Sequence, residues 1–244
     1  MFRPAALIVF LLALPPAQAQ LRVCVENDWA PMAFAREGKP AGAMVDLAAE
    51  AFQAAGLTVS FESGSYNRCL ALTRRGHYQA MLDVAQNSER QPQFIWPSQP
   101  LLVLPLHLIG SKPGTASPGD YSVLRGLRVG MTLGYEYPDA LLQQRLVRVV
   151  SPSEQANFHQ LLAGGIDVMV LSAGSYQALR EAAQLKEGEA PHDWGRVDEL
   201  ALYIAFHARH PQAAHWATAI SHSLQGLQRS GAPQRILQRW QARP

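Results

Sequence analysis

Three features of the sequence predict an α/β protein of two lobes, each a mainly parallel sheet flanked by helices. Between residues 21 and 84 the pattern runs strand, helix, strand, helix, strand, which is the signature of parallel pairing with helices on the sheet faces. A second run of the same kind follows after residue 120. Between them lies Lys112-Pro113-Gly114-Thr115-Ala116-Ser117-Pro118-Gly119, the clearest connector-like stretch. The chain has 244 residues, 48% of them hydrophobic, which is enough for a sizeable core in one domain or two. Its formal net charge is only +2 and no basic cluster stands out, so neither nucleic acid nor an acidic membrane surface is an expected partner.

At the N-terminus, Arg3 precedes the apolar run Ala5–Leu14, then Pro15-Pro16 and Ala17-Gln18-Ala19. A charged start, an apolar centre and an A-x-A site form an export signal, with cleavage expected after Ala19. The apolar run is too short to span a bilayer. Arg22 just before Cys24 argues against a lipidation site. The mature chain is expected in a periplasm. Two cysteines, Cys24 and Cys69, suit that oxidising compartment, and a structural disulfide between them is expected, with two buried thiols as the alternative.

In the first unit, Leu21–Val25 reads as a strand and Glu26–Met32 as the loop after it. Met44–Ala55 is a helix with Val45, Leu47, Ala48, Ala51, Phe52 and Ala55 on one face and Gly56 as its stop. Leu57, Val59 and Phe61 alternate as a strand, and Tyr66–Arg75 is a helix ended by Gly76. Ala80-Met81-Leu82 leads a buried strand that ends at a carboxylate, Asp83. After it, Asn87 or Ser88 can cap a short helix whose first turn holds Glu89 and Arg90. Leu101–Ile109 is a further strand.

In the second unit, strands are predicted at Leu127–Met131, Val147–Val150 and Ile166–Leu171. A loop, Thr132–Pro138, enters a helix near Asp139–Arg145. Ser153 caps a helix to Ala163, and Ser172 opens another. Leu200–Phe206 is a strand, and His215–Ser230 and Pro233–Gln241 are closing helices.

Ligands of open α/β sheets bind outside the carboxyl ends of strands, which puts Arg90 near the mouth of a cleft. Its planar fork can grip a carboxylate with two parallel hydrogen bonds. The plainer alternative is a surface arginine paired with Glu89 or Asp83. Trp29 and Tyr66 fall in strand-to-helix connections at the same mouth. Val170-Leu171-Ser172-Ala173-Gly174 resembles a nucleophile elbow that lacks its first glycine, with no histidine base in evidence. His207, His210, His215 and His222 lack metal-ligand spacing, and no phosphate-binding glycine motif occurs, so neither metal nor cofactor is expected.

An ordered set of residues resembles the family 3 periplasmic solute-binding proteins. The set is Trp29-Ala30-Pro31; Gly42 with Asp46-Leu47-Ala48; Leu70 with Leu72 and Gly76; Ser88-Glu89-Arg90 with Phe94 and Pro97; Leu127 with Val129-Gly130 and Gly134; Asn157 with Leu161-Leu162 and Gly165-Ile166-Asp167; Tyr203 with Ala205-Phe206; and His210-Pro211, Leu224, Gly231 and Trp240. The resemblance implies a type II, Venus-flytrap fold, with lobe one at 20–105 plus 206–244 and lobe two at 106–205. It implies a monomer that captures a small carboxylate-bearing, amino-acid-like ligand for a membrane ABC permease. Arg90 matches the position that grips the ligand carboxylate. Gly134 and Tyr135 match a second-lobe turn whose backbone N–H groups, at a helix N-terminus, complete that grip. Trp29 and Tyr66 match wall positions.

Four positions depart from the family pattern. Ser172 stands where a carboxylate usually pairs with an α-ammonium group, and Ala85 where a hydroxyl residue is usual. Asp83 and Glu136 replace small hydroxyl residues. Asp83 or Glu136 then supplies the missing negative charge from another direction, and with Ser172 sets selectivity, or else the ligand has no α-amino group. The resemblance also leaves open an enzyme on the same fold, like cyclohexadienyl dehydratase, with Asp83 or Glu136 as general acid. A ligand-sensing subunit that docks on a receptor is a further alternative.

Overall fold

A computed structural model describes residues 20–186 and 188–240. The export signal expected at residues 1–19 lies outside them. One mixed sheet of nine strands runs through the molecule. Its strands are β1 (Leu21–Glu26), β5 (Val59–Gly64), β6 (Ala80–Ala85), β7 (Phe94–Ile95), β8 (Leu102–Gly110), β9 (Arg128–Thr132), β10 (Val147–Ser151), β11 (Val168–Ser172) and β12 (His192–His207). Their order is β10-β9-β11-β8-β12-β6-β1-β5, with β7 on β12. Pairing is parallel at each flank, β1 with β5 and β6 on one side and β9 with β10 and β11 on the other. It turns antiparallel through β8 and β12, the two strands that pass from one half to the other. A separate small sheet holds β2 (Asp28–Trp29), β3 (Ala33–Arg36) and β4 (Lys39–Ala41), strands too short to leave a readable alternation.

Helices cover both faces: α1 (Ala43–Ala54), α2 (Tyr66–Arg74), α3 (Asp139–Leu142), α4 (Glu154–Leu162), α5 (Ala173–Ala182), α6 (Ala213–Ser230) and α7 (Ala232–Arg239). The capping expectations hold: the Ser153 hydroxyl accepts the Ala156 N–H at 3.1 Å, and Ser172 accepts that of Ser175 at 3.0 Å.

The apolar residues form separate cores. One holds Met44, Leu47, Phe52, Leu104, Leu202, Phe206 and Ile220; behind β1 and β6 another holds Cys24, Tyr66, Met81 and Val84. The second half is built on Leu106, Leu124, Val129, Leu141 and Val197, with Phe158, Leu161, Ile166 and Tyr176 on the opposite face. Along β8 the first core ends at Leu104 and the next begins at Leu106. The expected disulfide joins β1 to α2, with 5.4 Å between the Cα atoms of Cys24 and Cys69.

Three local expectations are corrected. The strand β12 is 16 residues long and starts well before the Leu200 predicted from sequence. Its first half pairs with β8 from His192 to Glu199 through main-chain bonds, which its polar side chains do not advertise. The strand β6 does not end at Asp83 but runs on to Ala85. Only a short 3₁₀ turn, Gln91–Gln93, stands where a helix beginning near Glu89 was expected.

Candidate functional site

The site lies where the two halves face each other. It begins with an irregularity in β6. Tyr203 pairs with Val84 and Ala205 with Met81, so Ile204 opposes both Leu82 and Asp83. This is a β-bulge, and Asp83 sits in it at φ 66°. Left-handed backbone is uncommon outside glycine, with aspartate among the more tolerant residues. The bulge re-aims a side chain that would otherwise face the sheet core. Asp83 is 4% exposed and lines the cleft. Neither of its carboxylate oxygens has a hydrogen-bond partner among the described residues. Burial pushes its ionisation up to about 7.

A few residues along, Arg90 takes up a different environment. Its backbone N–H is held by the Asn87 side chain at 2.8 Å. Its Nε donates to Glu136 Oε1 at 2.7 Å, one terminal nitrogen to Glu89 at 2.5 Å and the other to the Gly134 carbonyl at 3.4 Å. The alternative of a partner in Glu89 is therefore realised, and Glu136 is the second, buried partner. Glu136 also accepts the Tyr66 hydroxyl at 2.5 Å and the Ala85 N–H at 3.5 Å. Its ionisation is raised, because burial outweighs the Tyr66 and Arg90 hydrogen bonds that favour the charged form.

Further contacts bridge the halves. The Tyr135 hydroxyl donates to Glu26 at 2.5 Å, and Trp29 Nε1 to the Ser175 hydroxyl at 2.9 Å. Ser88 donates through its hydroxyl and its N–H to Asp139, at 2.9 and 3.1 Å. The Asn67 amide donates to the Leu133 carbonyl at 2.9 Å. Gly134 is where this approach is tightest. It has φ +84°, and a Cβ there would lie 1.7 Å from the Asn67 side-chain oxygen. Only glycine fits.

These contacts surround a cavity lined by Trp29, Tyr66, Tyr135 and Tyr137, by apolar residues such as Leu104, Val170 and Leu202, and by the carboxylates of Glu26, Asp83, Glu136 and Glu154. Glu26 is pushed well up by burial, with the Tyr135 hydroxyl pulling the other way. Glu154, half-buried at the start of α4, is pushed up to about 7 by desolvation, against the pull of Ser175.

The structure thus brings Trp29, Tyr66, Asp83, Tyr135, Glu136 and Ser172 to one cavity, with Arg90 and Gly134 behind Glu136. Two expected arrangements differ. The Tyr135 N–H donates to the Thr132 carbonyl, and α3 begins only at Asp139, so no helix N-terminus stands at Gly134 and Tyr135. The Ser172 hydroxyl is occupied as the cap of α5, which removes the likeness to a nucleophile elbow. Glu26 and Glu154 were missed. Glu26 ends β1 as Asp83 nearly ends β6, so the strand-end rule applied to β1 finds it; Glu154 reads in sequence only as an ordinary first-turn acid after a cap.

The family model for bacterial extracellular solute-binding proteins, family 3, matches residues 21–243. The chain belongs to that family. Solved structures agree on the type II periplasmic-binding fold. A histidine kinase sensor domain with similarity to periplasmic binding proteins has a TM-score of 0.74 at 19% identity, over 91% of this chain and 96% of that one. The arginine-, lysine-, histidine-binding protein ArtJ from the thermophilic bacterium Geobacillus stearothermophilus has 0.73 at 15%, over 91% and 94%. An ancestral amino acid-binding protein described as a precursor of cyclohexadienyl dehydratase has 0.67 at 16%, over 91% and 94%. No curated protein sequence matches the chain. Among the described residues no helix is long and apolar enough to cross a membrane, and no group of three or more His, Cys, Asp or Glu could hold a metal ion.

Proposed function

We propose that this family 3 protein captures a small, amino-acid-like solute between its lobes in the periplasm and delivers it to a membrane ABC permease. The observation that supports this most is the ring of buried side-chain contacts joining the two halves around one cavity, Arg90 and Tyr66 to Glu136 and Tyr135 to Glu26 above all. Hinge closure around a solute brings two lobes together through contacts of this kind across a cleft. In this reading Trp29, Tyr66 and Tyr135 wall the solute, Asp83 meets its charged nitrogen, and Arg90, Gly134 and Glu136 close the cleft. Ser172 positions Ser175, which holds Trp29. A solute carboxylate reaches Arg90 only where Glu136 gives way to it.

The test is a thermal-shift panel on the mature, ligand-stripped chain, with amino acids, dicarboxylates, keto acids and prephenate-like acids. A saturable rise in melting temperature is expected with at least one solute. No rise with any of them overturns the reading. A second reading, a dehydratase, is favoured by one observation: Asp83 is a buried carboxyl lining the cleft with no hydrogen-bond partner among the described residues, and burial pushes its ionisation up to about 7, where a carboxyl can both give and take a proton. Loss of a prephenate-like acid with appearance of an aromatic product, abolished by Asp83→Asn, would establish it.

A further inference from the structure

Charge is distributed unevenly in the cleft. Among the described residues that line the cavity there are four carboxylates and no lysine, arginine or histidine. Arg90 lies behind Glu136 and neutralises that one carboxylate. Three donors suited to a solute carboxylate are already turned toward Glu136: the Arg90 guanidinium, the Tyr66 hydroxyl and the Ala85 N–H. The protein supplies its own carboxylate there. A second one, brought in by a solute, would find no lysine, arginine or histidine among the described lining residues to pair with.

Asp83 shows the opposite condition. It is buried, both oxygens lack partners, and its backbone is held in a conformation most residues avoid. An unpaired buried carboxylate is costly, and strain of this kind persists where the surrounding structure enforces it, often at a ligand site. The bulge that aims Asp83 is fixed by pairing on both sides of it. The same cavity is lined by Leu104, Leu202, Tyr66 and Tyr135, which suit an apolar body that carries a cation.

We infer that the cleft takes a small organic cation that needs no carboxylate, a primary amine or a guanidine on an apolar body, with its charged nitrogen on Asp83 and Glu26 close by. The inference rests on the capture function proposed above and narrows its solute class.

The experiment uses matched pairs: arginine with agmatine, lysine with 1,5-diaminopentane, and phenylalanine with 2-phenylethylamine, with glutamate as the anionic control. Binding is read by thermal shift and by calorimetry on the mature chain. The amine of at least one pair is expected to bind at least as tightly as its parent amino acid, and Asp83→Asn is expected to weaken it about 10- to 100-fold. Asparagine also tolerates left-handed backbone, so this variant keeps the bulge. Glu136→Gln, which removes the charged partner of Arg90, is expected to swing preference within a pair toward the amino acid. Binding of amino acids or glutamate with none of the decarboxylated partners overturns the inference and leaves the capture function standing. Amine binding unchanged in a folded Asp83→Asn variant overturns the assignment to Asp83. No binding by any of the seven compounds overturns the inference; if the wider acid panel is silent too, the capture function falls with it.

Discussion

Two ends of one cleft treat buried charge in opposite ways. At the Arg90 end a guanidinium and a carboxylate from opposite halves meet at 2.7 Å, with Tyr66 completing the shell of Glu136. At the Asp83 end a carboxylate of equal burial meets nothing. A buried charge pair with its hydrogen bonds made is tolerated, and removing one member is expensive. A lone buried carboxylate weakens the folded state until a proton or a cation joins it. The first end therefore behaves as a latch between the halves and the second as a receptor site. Substitutions at the two ends should move stability in opposite directions.

The largest expected contrast is between Arg90→Ala and Asp83→Asn. Arg90→Ala leaves Glu136 uncompensated and should cost the closed form about 3–5 kcal/mol. Small-angle scattering should then show a more open molecule, and solute binding should weaken; binding within twofold of the wild type would show that the latch is not needed for capture. Asp83→Asn should instead stabilise the solute-free protein above neutral pH. Its folded-state ionisation stands at about 7, against an ordinary value near 4. Between those values the folded state holds more protons than the unfolded one, so wild-type stability falls as pH rises through this window. About three pH units correspond to about 4 kcal/mol, which the asparagine variant should recover at pH 8 and not at pH 4. Urea denaturation at both values measures the difference.

Of similar size is the effect of reducing Cys24–Cys69. This bridge closes 45 residues and ties α2, which holds Tyr66 and Asn67, to β1, which holds Glu26. The chain-entropy model gives roughly 4 kcal/mol, seen as a lower melting temperature under reductant. It tests whether both ends of the cleft depend on one rigid backing.

A subtler effect is proton release. A cation on Asp83 requires the ionised form, so binding at pH 7 should release about half a proton from Asp83 itself, and more at pH 6. Calorimetry in buffers of different ionisation enthalpy reads this. The groups that share the cavity with Asp83 are Glu26 from β1, Glu154 from α4 and Glu136, with Arg90 behind it; Glu26 and Glu154 are raised by burial in the same sense and add to the release. The smallest effect belongs to Ser172→Ala. Loss of the α5 cap should cost about 1 kcal/mol of stability. A loss of solute affinity beyond that would mean that Ser172 touches the ligand.

Much of this was legible in the sequence because it rests on local rules. Apolar period and glycine stops set α1 and α2, serine caps opened α4 and α5, and the ordered motifs from Trp29 to Trp240 indicated the family that the match over residues 21–243 establishes. The residues Trp29, Tyr66, Asp83, Tyr135, Glu136 and Ser172 were named from strand ends and motif positions, and all line one cavity. Other features were not local. The first half of β12 is held by main-chain bonds to β8, so its side chains gave no alternation to read. That Arg90 meets Glu136 depends on two segments 46 residues apart approaching across the cleft. That Asp83 meets nothing depends on a register shift against β12, about 120 residues later in the chain. Sequence by itself determined that Asp83 and Glu136 would face the cleft, because residue type, strand-end position and motif place are written along the chain; Glu26 and Glu154 join them only in the folded molecule. Only the tertiary structure decided which of them are paired, because a salt bridge and an orphaned carboxylate differ by a few ångströms between residues that are distant in sequence.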